Sequence, residues 1–267
     1  MKANPGETRV GRPCSEALMA PFPLMAIVAC CVALAAPAVA SADIIEIGKL
    51  DPPAVPSCPG QPCLAVSRTT GYQVKVGATR GLMTVPQDGR IVAWTISLGK
   101  PGKKQTDFFD SKLGGESQAQ LTILNPRRKL RSRAVAQGDL QTLTPFFGTT
   151  AQFALTKSIP VKKGWVVALS VPTWAPALAV GLGTDTSWRA SRGRGTCDDT
   201  STQTAQTLPN QLAQYFCLYR TARLTYSATL VTDPVPAATA PPPATTPPST
   251  TTTTTPTTPT TTTPAPG

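Results

Sequence analysis

The chain has 267 residues, with 25 Lys or Arg against 14 Asp or Glu, a net charge of +11, and no histidine. The lack of an imidazole excludes a Ser-His-Asp or Cys-His catalytic group, a histidine general base and any His-ligated metal site. Both ends depart from globular composition, which leaves 43–233, 191 residues, as a single domain able to bury its own core.

The first segment reads as an export signal. Lys2, Arg9 and Arg12 precede 17–40, which carries no charge, and Ala40, Ser41 and Ala42 supply the small residues that a signal peptidase requires ahead of Asp43. A signal peptide over 1–42 is therefore expected, with Ala38, Val39 and Ala40 as a second register. Two alternatives stay open. The uncharged run is long enough to span a bilayer as an uncleaved anchor, although Pro21, Pro23 and Pro37 interrupt it. Cys30, behind Ile27, Val28 and Ala29, offers a lipidation position. Membrane contact is expected only in those two cases; otherwise the protein is read as secreted, extracellular or wall-associated.

Cys14, Cys30 and Cys31 leave with the leader, and the four that remain, Cys58, Cys63, Cys197 and Cys217, suit an oxidising exterior. Four cysteines allow three pairings, and the short 58–63 spacing favours local closure, leaving Cys197 with Cys217. A four-thiolate metal site is the rival reading; the spacings do not form two CxxC knuckles, so no metal and no cofactor are expected. The 43–71 stretch, with Pro52, Pro53, Pro56, Pro59 and Pro62, reads as an arm held by its own disulfide across a sheet edge.

Over 72–233 apolar residues recur with period two between Gly, Pro and Asp clusters, the pattern of half-buried antiparallel strands. Tyr72, Val74 and Val76 form one apolar row, and Val92, Trp94, Ile96 and Leu98 another after the turn at Gln87, Asp88 and Gly89. Further strands are predicted at 119–124, 152–155, 165–171, 178–182, 215–219 and 224–231, eight to ten in all. No amphipathic stretch of helical period exceeds about two turns, so the expected fold is all-β, an antiparallel two-sheet sandwich of jelly-roll type. The tail, 234–267, holds fifteen threonines and eleven prolines in thirty-four residues. It cannot build a core and reads as a disordered stalk, extended on the order of 100 Å if polyproline II prevails and open to O-glycosylation.

The segments 85–94 (VPQDGRIVAW), 161–176 (VKKGWVVALSVPTWAP), 188–192 (WRASR) and 217–230 (CLYRTARLTYSATL) resemble a group of exported β-sandwich proteins of soil actinobacteria, whose function is unassigned. The resemblance implies the fold and brings no activity or catalytic residue. It expects an acidic residue after the turn at Lys162, Lys163 and Gly164, where this chain has Trp165.

Three kinds of residue are candidates for function. Flat aromatic faces bind sugar rings, and of the four tryptophans Trp94 lies in phase with a core row, whereas Trp165, Trp174 and Trp188 fall at turns or loops. Trp174, held between Pro172 and Pro176, is an equal choice between core plug and ligand platform, and Trp188 precedes Arg189 and Arg192, where stacking on an arginine would be ordinary. The second kind is charge: 43–233 has twenty-two Lys or Arg and twelve Asp or Glu, and Arg127, Arg128, Lys129, Arg131 and Arg133 concentrate five cations in seven residues. Such a loop attracts polyanions with strong salt dependence, or else simply solvates a turn. Dedicated nucleic-acid binding is not expected, since aromatics do not interleave with the basic run. The third kind is paired carboxylates, drawn from Glu46, Glu116 and turn aspartates such as Asp107, Asp110 and Asp139; Asp185, Asp198 and Asp199 are a weak calcium motif.

The expected function is a non-catalytic module that binds carbohydrate, such as cell-wall polysaccharide, or an anionic envelope polymer. A structural or protein-interaction component of the envelope is the alternative, and a carboxylate-dependent hydrolase stands behind both.

Overall fold

A computed structural model describes residues 42–58, 63–199 and 203–234. The leader expected over 1–42, with Cys30, and the stalk expected over 234–267 lie outside the described residues apart from Ala42 and Pro234. Among the described residues the strands, numbered in chain order, form two main antiparallel sheets. The smaller sheet runs β1 (Ile44–Ile47), β15 (Tyr226–Thr232), β4 (Gly89–Ser97) and β8 (Thr150–Val161). The larger runs β12 (Leu212–Gln214), β6 (Arg131–Gln137), β5 (Gln118–Pro126), β9 (Val166–Ala175), β2 (Val66–Val76), β11 (Ser187–Ala190) and β13 (Cys217–Arg220). The short β3 (Thr79–Arg80) and β7 (Gln141–Thr142) extend it, and β10 (Leu178–Val180) pairs with β14 (Ala222–Leu224).

The two sheets pack face to face as the expected all-β sandwich. Ile91, Trp94 and Ile96 of β4 and Tyr226 and Leu230 of β15 meet Leu121 and Ile123 of β5 and Val167 and Leu169 of β9 in one core. Each such aliphatic side chain stabilises the fold by about 1.5–3 kcal/mol on burial. Both expected disulfides, Cys58–Cys63 and Cys197–Cys217, are present. Among the described residues no helix is long and apolar enough to cross a membrane.

The sandwich also begins before the boundary expected at Tyr72. Ile44–Ile47 pairs with β15 along the edge of the smaller sheet, and β2 starts at Val66.

Three local readings are corrected. In β4 the register shifts between Ile91 and Ala93, a bulge that turns Ile91 rather than Val92 into the core in line with Trp94 and Ile96. In β2 the core-facing residue is Gln73, not the Tyr72 row. Gln73 is satisfied there, its amide donating to the Ser187 carbonyl at 3.0 Å while its carbonyl accepts from the Leu224 N–H at 3.1 Å. Finally, the chain does hold a helix of three turns, α1 (Lys103–Leu113), bounded by Gly102 and by Gly114, whose φ of 100° is left-handed and suits glycine. The Gly115 N–H closes its C-terminus on the Asp110 carbonyl at 2.9 Å.

The larger sheet is covered on its outer side as well. There the hydroxyl of Ser170 lies 2.5 Å from that of Thr70 and 2.7 Å from that of Thr122, and it donates to the Gln206 carbonyl at 2.9 Å. The Gln206 N–H donates to Thr70 Oγ1 at 2.8 Å, and Tyr215 donates its phenolic proton to the Gln206 side chain. Alternating Thr and Ser, which look solvent-facing in the sequence, instead anchor the chain around Gln206 to the sheet.

Candidate functional site

The basic residues form the tip of a hairpin. β5 and β6 pair through Pro126 and Ser132, and the Arg131 N–H donates to the Arg128 carbonyl across a two-residue turn. Its central residues, Lys129 and Leu130, both have left-handed φ, 59° and 57°. Two-residue hairpin loops favour such a turn because it matches strand twist, but they usually place Asn-Gly there; Lys and Leu accept it at a cost on the order of 1 kcal/mol each.

The turn presents its charges outward. Arg127, Arg128, Lys129 and Arg131 are exposed, and Leu130 between them is 43% exposed. Arg133 is half-buried and donates to the Asn210 carbonyl at 3.1 Å. Among the described residues none of the five is ion-paired. The structure therefore brings together all five basic candidates, four of them free to meet solvent.

The tryptophans are placed differently. Trp174 is fully buried, so it is the core plug and not the platform: Phe109 lies 4.9 Å and Phe147 5.5 Å from it between ring centroids, and its indole N–H donates to Asp110 Oδ1 at 2.8 Å. Trp188 is 5% exposed, stacks on Tyr219 at 4.7 Å, and lies so close to Gly71 that a Cβ there would sit 2.9 Å from the indole. Neither offers a face to a sugar. Arg192 lies over Tyr219 rather than Trp188, and its guanidinium donates to the Cys197 and Ser67 carbonyls, which ties the disulfide loop to β2. Trp165 is half-buried and packs against the core, and its backbone carbonyl accepts from the Val85 N–H at 2.8 Å.

Several carboxylates are engaged locally. Asp107 pairs with Lys103, Asp110 with Trp174, and Asp139 accepts the Thr156 N–H at 3.1 Å. Glu116 is exposed on the connection from α1 to β5. Among the described residues no group of three or more His, Cys, Asp or Glu lies within reach of a shared metal ion.

A second feature was not legible in the sequence. On the outer face of the smaller sheet, Ser227 of β15, Thr95 of β4 and Gln152 of β8 stand in one cross-strand row, with Glu46 of β1 beside them. The 48–54 segment turns over this face at Gly48, whose φ is 89° and where a Cβ would sit 2.6 Å from the Met83 sulfur. A cavity of about 390 Å³ remains between them, with Arg223 of β14 in its wall. The cavity joins residues from four separated segments, 46–54, 95–97, 150–152 and 223–227, and β-period alternation shows which of them share a face but not that a crossing segment partly covers it.

Comparison of the chain with protein-family models, with curated proteins and with solved structures finds no match.

Proposed function

We propose that the protein is an exported, non-catalytic binding module that engages an anionic envelope polymer through the β5–β6 hairpin. The observation that carries this reading is a set of four exposed, unpaired cations, Arg127, Arg128, Lys129 and Arg131, gathered at one hairpin turn. A solvated turn needs no such density of one sign. Like charges so close repel one another, and a polymer with condensed counterions relieves that repulsion while releasing its ions to solvent. The two disulfides support an oxidising exterior, where teichoic or uronic polymers are the abundant polyanions.

The test is retention of the purified oxidised protein on insoluble wall polymer across a salt series, beside a variant with all five basic residues of 127–133 changed to Ser. Retention should fall with a log–log salt slope of roughly −3 to −4 for four released counterions and should vanish in the variant. Salt-insensitive retention would move the reading to neutral sugar recognition. Absence of retention at every salt would favour the structural envelope component.

A further inference from the structure

Arg223 is 7% exposed, and no carboxylate pairs with it among the described residues. One of its guanidinium nitrogens, Nη2, donates to the Gly48 carbonyl at 3.0 Å. Its Nε is walled in without an acceptor, whereas Nη1 has no hydrogen-bond partner among the described residues and is not walled in. Arg192, the other buried arginine, has three acceptors around it: the Cys197 and Ser67 carbonyls and the Tyr219 hydroxyl. An arginine buried without a carboxylate in contact is destabilising, and burial pushes the Arg223 guanidinium below its ordinary pKa. A bound anion removes that cost.

We infer that the cavity on the outer face of the smaller sheet binds an acidic sugar, a uronate, with its carboxylate on Arg223 and its hydroxyls on the row formed by Ser227, Thr95 and Gln152. The volume of about 390 Å³ suits a ligand of one or two sugar rings. The wall is rich in hydroxyl and amide groups, as a polyhydroxylated ring requires. Glu46, whose carboxylate accepts from Thr229 at 2.5 Å and from Ser227 at 3.4 Å, adds an acceptor for a ligand hydroxyl. With Arg223 and Lys49 as the cations of the wall and Glu46 as its anion, the cavity carries one net positive charge, which matches a single carboxylate better than a dianionic phosphate. The ring of Tyr226 is turned away into the core, its hydroxyl donating to the Val167 carbonyl at 3.1 Å. Recognition is therefore by hydrogen bonds and not by stacking. The site belongs to the opposite sheet from the basic hairpin and does not depend on it.

The experiment is a calorimetric titration of the oxidised protein with glucuronate and galacturonate, with glucose and acetate as controls. Saturable binding of a uronate and neither control is expected, weakened at least tenfold by Arg223→Lys. Thr150→Trp, which plugs the exposed rim of the cavity, should abolish binding and carries the test if Arg223→Lys does not fold. The inference is overturned if no uronate saturates at concentrations on the order of 10 mM, if glucose or acetate binds equally well, or if Thr150→Trp binds like the parent.

Discussion

The indole N–H of Trp174, on β9, donates to the carboxylate of Asp110, on α1, at 2.8 Å and also reaches the Gly115 carbonyl at 3.1 Å. None of the helix's residues is buried, and this contact and the Phe109–Trp174 ring pair tie it to the sandwich. Trp174→Phe leaves the Asp110 carboxylate without this donor, and Asp110→Ala removes the nearer of the indole's two acceptors. Each should lower stability by about 1–3 kcal/mol, read as a shift in the urea midpoint with faster amide exchange confined to α1. Soluble glycans should leave the fluorescence of this buried tryptophan unchanged.

The two disulfides should differ in weight. In the chain-entropy account a cross-link over 20 residues, Cys197–Cys217, constrains the unfolded chain by about 3 kcal/mol, and one over 5 residues, Cys58–Cys63, by about 2 kcal/mol. The Cys197→Ser, Cys217→Ser pair should therefore unfold at lower urea than the Cys58→Ser, Cys63→Ser pair. An equal shift would show that Arg192, which bonds the Cys197 carbonyl at 2.9 Å, holds the larger loop without the disulfide.

The left-handed turn at Lys129 and Leu130 makes stability and charge separable. Lys129→Asn with Leu130→Gly suits the turn and should raise stability by roughly 1–2 kcal/mol while removing one cation. Thermal unfolding measures the first effect. If the hairpin tip is the polyanion contact, the same variant should bind more weakly despite being more stable.

Alkaline pH should unfold the protein cooperatively. Burial raises the phenol pKa of Tyr215 and of Tyr226 well above the ordinary value of 10.0, and that of Tyr72 to a lesser degree. Because the folded pKa values lie above those of the unfolded chain, the contribution is complete below pH 10 and is lost as pH rises beyond it, by about 1.4 kcal/mol per unit for each group. Absorbance at the phenolate band should show these tyrosines ionising together with loss of near-ultraviolet circular dichroism. Ionisation in the still-folded protein would contradict their burial.

Much of the fold is legible in the residue pattern. Alternation along β4 and β15 marks half-buried strands, and an even cysteine count with one short spacing points to the disulfides found. The exposure of the basic turn is equally plain, since charge that dense can only lie at the surface, whereas the strand that follows it, β6, is not among those the alternation predicts. Other elements needed knowledge of neighbours. The α1 segment is punctuated by Pro101, Gly102, Gly114 and Gly115, yet it has no apolar stripe of its own because it docks through one ring, Phe109, onto Trp174. The bulge at Val92 shifts the phase by one residue, which no period-two count foresees.

The chain alone determined that the domain is all-β, disulfide-linked and strongly basic at one turn, because these follow from periodicity, spacing and composition. Only the tertiary structure decided which faces are covered. Trp174 and Trp188 became core, Gln73 and Ser170 became buried polar anchors, and Arg223 was set in a cavity wall without a carboxylate in ion-pair contact. The physical reason is that a strand's alternation assigns its side chains to two faces, while the burial of each face depends on segments distant in sequence that pack across it.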